Sequence, residues 1–119
     1  MPRDDALVNR VKAALGGIPR VEEKRMFGGV TFMVRGKMCV SARPKRIMCR
    51  IDPAIHDAVL ERKGCRTVVM QGRQYRGYVY VDAAAVRTKG DLDYWIGLAL
   101  DFNDKANASA KNRTLHRRR

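Results

Sequence analysis

Few residues here could do chemistry, and their spacing decides which chemistry. His56 stands beside Asp57, a pairing that could supply a general base next to a carboxylate, and His116 is the other histidine of the chain. The plainer reading of His56 is a residue on the surface of a helix. No HxxxH or His/Asp cluster appears, so no metal or cofactor is expected. Cys39, Cys49 and Cys65 are odd in number, far apart and without CxxC spacing, which reads as reduced thiols. Gly28-Gly29, in KRMFGGVTFMVRGKMCV, could cradle a phosphate only if a helix came next. Instead the chain continues as Val30-Thr31-Phe32-Met33-Val34, which favours a pleated strand. The pair is therefore expected to bend or bulge a long strand. With no nucleophile and base, paired carboxylates or metal set, the chain reads as non-enzymatic.

The second group of candidates binds rather than reacts. Tyr75, Tyr78 and Tyr80 lie near Arg73 and Arg76, which suggests base stacking, but motifs of the RNP type are missing and a packing or dimer role fits better. Charge is the unusual quantity: 25 basic against 12 acidic side chains give +13, which favours anionic partners. Of this, a net +5 falls in residues 103–119, from Lys105, Lys111, Arg113, Arg117, Arg118 and Arg119 against Asp104. Such a tail would bind nucleic acid without reading sequence, or merely solubilise the chain.

Positioning these residues requires elements, and periodicity supplies them. Leu7, Val11, Ala14 and Leu15 form one helical stripe behind Asp4 or Asp5 as cap, ended by Gly16-Gly17. A long strand from Val21 to Val34 is expected, then a turn at Arg35-Gly36 and a strand over Met38–Ala42. A three-residue turn at Arg43-Pro44-Lys45 would pair Ala42 with Arg46 and set Cys39 opposite Cys49, both buried. In Arg46–Ile51, Ile47, Cys49 and Ile51 alternate with Arg46, Met48 and Arg50, so one face is buried. Asp52-Pro53 opens a second helix that Gly64 ends. Strands come next over Cys65–Met70 and Gly77–Val81, and a last helix, capped by Thr88, carries Leu92, Trp95, Ile96, Ala99 and Phe102.

The fold class is thus α+β, α-β(3)-α-β(2)-α in two layers with an antiparallel sheet. A domain over residues 1–102 and a disordered basic tail over 103–119 are expected. Three helices can cover only one face of such a sheet. The open face draws on Met33, Met38, Met48 and Arg50, and on either Tyr78 with Tyr80 or Val79 with Val81. Taken with the tyrosines, that set is the candidate partner surface, for another protein or a second copy. No apolar run could span a membrane and MPRDDALVNR lacks a secretory leader, so a cytoplasmic protein is expected.

Arg25-Met26-Phe27-Gly28-Gly29, Gly36-Lys37-Met38, Gly77-Tyr78-Val79-Tyr80-Val81 and the Trp-bearing last helix together resemble the TfoX/Sxy N-terminal domain family, from about Leu7 to Phe102. The resemblance makes Met26, Phe27, Gly28, Gly29, Gly36 and Gly77 structural motif positions and implies a fold like that of type III secretion chaperones. It also implies regulation of natural competence alongside a cyclic-AMP receptor-type activator, and no catalytic residues. The expectation is a stand-alone N-terminal domain, without the family's C-terminal one, working through protein contacts. The alternative is non-specific nucleic-acid binding through the tail.

Overall fold

The structure is a computed structural model that describes residues 6–26 and 28–117, without the side chains of Met26 and of 107–117. In chain order it has α1 (Ala6–Ala14), β1 (Val21–Met26), β2 (Gly29–Val34), β3 (Lys37–Ala42) and β4 (Arg46–Arg50). After a 3-10 turn at Pro53–Ile55 come α2 (His56–Val59), β5 (Cys65–Met70) and β6 (Arg73–Asp82), and after a second at Ala83–Val86 comes α3 (Lys89–Arg117). The strands form one antiparallel sheet in the order β1-β2-β3-β4-β6-β5. The α+β class with an antiparallel sheet stands; the order is α-β(4)-α-β(2)-α, with one strand more than expected.

The extra strand comes from the glycine pair. Gly28 has φ +78°, and Met26 pairs with Gly29 across a two-residue turn, so the chain reverses where a bent single strand was expected. Val21-Glu22-Glu23-Lys24-Arg25 has no apolar alternation because β1 is an edge strand, where charges discourage pairing with other chains. The next hairpin turns at Arg35-Gly36 with φ +55° and +78°, both positive as the mirror-type turn requires. Arg35 is held there by its N–H on the Arg20 carbonyl (3.0 Å) and by an ion pair with Asp104 of α3.

The β3–β4 register differs from expectation by one residue. Arg43 N–H donates to the Arg46 carbonyl (2.9 Å), so the loop is Pro44-Lys45 and Cys49 faces Val40 instead of Cys39. By itself that slip would turn Cys39 outward. A bulge compensates: Phe32 pairs with Val40 but Met33 with Met38, leaving Cys39 as the extra residue. Cys39 and Val40 therefore both face the core, and all three cysteines are free and buried. Burial pushes the Cys39 and Cys65 thiols up to about 11 and that of Cys49 higher still. A maleimide at neutral pH is expected to leave all three unlabelled in the native protein and to modify all three in urea, read by mass; fast native labelling would contradict this packing.

One face of the sheet is covered. Leu7, Val11 and Leu15 from the α1 segment and Leu92, Trp95, Ile96 and Ala99 of α3 close over Val30, Phe32, Val40, Ile47, Cys49, Val79 and Val81. The Asp91 N–H bonds the Thr88 hydroxyl (3.0 Å), the expected cap of α3. The second helix is shorter than expected, a 3-10 turn capped by Asp52 running into four α-helical residues. Beyond Phe102 the helix continues to Arg117, and in its next turn Asn103 and Ala106 are buried and the Asn103 amide donates to the Val34 carbonyl (3.1 Å). Regular packing thus reaches past the expected boundary at residue 102. Among the described residues no helix is long and apolar enough to cross a membrane.

Candidate functional site

Among the described residues no helix packs on the opposite face of the sheet. Thr31, Met33, Met38, Met48, Met70 and Tyr80 enclose a groove of about 370 Å³ on it, with Arg43 and Arg46 along one side. Strand pairing explains the grouping: Ser41 lies opposite Met48 and Met48 opposite Tyr80, while Thr31 faces Ser41, which its hydroxyl meets at 3.2 Å. The Arg46 guanidinium rests 3.7 Å from the centroid of the Tyr80 ring. Val79 and Val81 point into the core, so the alternation resolves in favour of the tyrosines outside.

Of the six partner-surface candidates, Met33, Met38, Met48 and Tyr80 line this groove. Arg50 and Tyr78 lie in the adjoining row, where the Arg50 guanidinium is 5.7 Å from the Tyr78 ring and 5.3 Å from that of Phe102. Sequence reasoning missed Arg43, Arg46, Thr31 and Met70. Arg46 could have been found, since it shares a face with Met48 and Arg50 by simple alternation. Met70 comes from β5 and needed the topology.

Gly77 (φ +92°) sits where β6 bulges away from β5, between the Thr67–Val79 and Val68–Tyr75 pairs. Its N–H donates to His56 Nδ1 (2.9 Å), and the other ring nitrogen meets the Thr67 hydroxyl at 3.1 Å. His56 is thus not the surface residue expected: it is 3% exposed, because the bulge needs an acceptor for the Gly77 N–H. With Nδ1 accepting, the proton sits on Nε2, and neither nitrogen is free for a substrate. Burial, then the nearby Arg76, lowers its pKa, and Asp57 opposes them. Asp57 itself binds Arg76 (3.2 and 3.3 Å).

The remaining candidates divide. Gly36 makes the second hairpin turn and Gly29 the first pair of β2, while the Met26 side chain and Phe27 lie outside the described residues. Lys105 pairs with Asp52 (3.1 Å). The side chains of Lys111, Arg113 and Arg117, and the whole of Arg118 and Arg119, lie outside the described residues. No group of three His, Cys, Asp or Glu that could hold a metal occurs among those described. A wider cleft of about 830 Å³ between Arg62, Asp82, Arg87, Asp91 and Trp95 mixes both signs of charge.

A family model, that of the TfoX N-terminal domain, matches residues 13–103. No curated protein and no solved structure matches the chain.

Proposed function

The chain belongs to the TfoX N-terminal domain family, and from that premise we propose that it serves competence-type regulation of transcription through protein contact, without catalysis. The observation that supports this reading is the uncovered sheet face, where Met33, Met38, Met48 and Tyr80 gather in one groove. Methionine and aromatic side chains with arginine are the composition of contact surfaces. The role places the protein in the cytoplasm, where promoters are.

A photoreactive side chain at position 48 is expected to give protein adducts in cells, and the same group at Arg87, away from the groove, is expected not to give them. The double variant Met48→Asp with Arg50→Glu should lose the regulated output while its circular dichroism stays native. Adducts to nucleic acid alone would put a polyphosphate in place of the protein partner on this face, which the net charge of +13 favours.

A further inference from the structure

The arginines differ in what holds them. Arg35, Arg66 and Arg76 are spent on Asp104, Asp82 and Asp57. Arg43, Arg46 and Arg50, on the open face, make no ion pair among the described residues. Arg46 is laid against Tyr80 and Arg50 lies near Tyr78 and Phe102. A guanidinium held over a ring keeps its donors around its rim, positioned for a carboxylate at little further cost in side-chain freedom. Beside them Met33, Met38, Met48 and Met70 line an adaptable apolar floor, and Met70 is 46% exposed.

Resting on the protein-contact reading, we propose that this groove takes an acidic, apolar segment of another protein. An apolar side chain of the partner seats among the methionines, and flanking carboxylates meet Arg43 and Arg46. A second copy fits poorly: a two-fold contact through this face would set unpaired arginines against their equivalents, in a chain of net charge +13. Nucleic acid fits less well, since base stacking needs a free ring face and the Arg46 guanidinium already occupies one side of Tyr80.

The test uses the full chain with methyl-labelled methionine and a synthetic peptide of about twelve residues alternating Asp or Glu with Leu or Phe. This peptide is expected to shift the methyl signals of Met33, Met38, Met48 and Met70. Its affinity should fall about tenfold or more for Arg46→Glu and remain unchanged for Arg87→Glu. Arg46→Gln, a milder change, should give a smaller loss in the same direction if charge reversal disturbs the fold. Equal binding of the Asn/Gln version of the peptide would overturn the acidic assignment yet leave a protein-docking face. Preferential binding of oligothymidylate at the same methyls would overturn both. No methyl shift with any peptide would remove the groove as the site, and the adducts at position 48 would then judge the protein-contact reading separately.

Discussion

Valine in place of Gly29 is expected to cost about 3 kcal/mol or more of stability, at the severe end for a single substitution, while Gly28→Asn costs well under 1 kcal/mol. The two neighbours are glycine for different reasons. A Cβ at Gly29 would stand 2.5 Å from the Ala42 carbonyl oxygen and 2.8 Å from Arg43 Cγ. The oxygen belongs to the backbone of β3 and cannot move without breaking the ladder. Gly28 has open space around it and needs only a positive φ, +78°, which asparagine tolerates. Gly28→Val should therefore lose about 1–2 kcal/mol, the ordinary penalty for a left-handed residue. Urea unfolding of the three variants checks the order. If Gly29→Val were as stable as the parent, β2 and β3 would not approach so closely. The same contact ties fold to site: the Arg43 stem occupies the space that a side chain at position 29 would take, so the missing side chain lets Arg43 lie beside the groove.

What could be read from the sequence came from periodicity. The stripe Leu92, Trp95, Ile96, Ala99 gave α3, and Ile47, Cys49, Ile51 against Arg46, Met48, Arg50 gave both faces of β4, because each repeat is forced by one-sided burial. The first strand pair was lost for the converse reason. An edge strand of charged residues buries little, so Glu22-Glu23-Lys24-Arg25 carried no period to read. The Cys39 bulge was invisible because Cys39 and Val40 are both apolar, and nothing in the residue types says which one breaks alternation. His56 was misplaced since its reason for being buried, the Gly77 N–H, lies 21 residues away. The groove was half legible: alternation put Met33, Met38 and Met48 outside and left the tyrosines and valines of β6 as alternatives, and the joining of Met70 to Met48 through β6 depends on strand order.

His56→Leu is expected to lose about 2–3 kcal/mol at neutral pH and to lose a pH dependence as well. Leucine fills much of the space but leaves the Gly77 N–H buried without its acceptor and the Thr67 hydroxyl without its partner, and such an unpaired group costs about 1–3 kcal/mol. The pH effect has a definite sign. Folded His56 is neutral and its pKa lies below the ordinary 6.5, through burial first and Arg76 second, against the pull of Asp57. Above pH 6.5 both folded and unfolded chains carry a neutral imidazole and the stabilisation is complete. As the pH falls below 6.5 the unfolded chain takes up a proton that the folded one refuses, so stability declines by at most about 1.4 kcal/mol per pH unit until the folded pKa is reached. Protonation would also place a donor at Nδ1 against the Gly77 N–H, which explains why the folded state resists it. Unfolding measured at pH 7.5, 6.5 and just below should show the decline in the parent and its absence in His56→Leu. An undiminished slope in the variant would assign the proton to another group. The consequence reaches the open face, because Tyr78 comes directly after Gly77 and faces Arg50 across the β4–β6 pair. Loosening the bulge by acid or by His56→Leu should therefore disturb the Tyr78 and Arg50 row before it reaches Met48 and Tyr80, an order that the methionine and tyrosine signals can resolve.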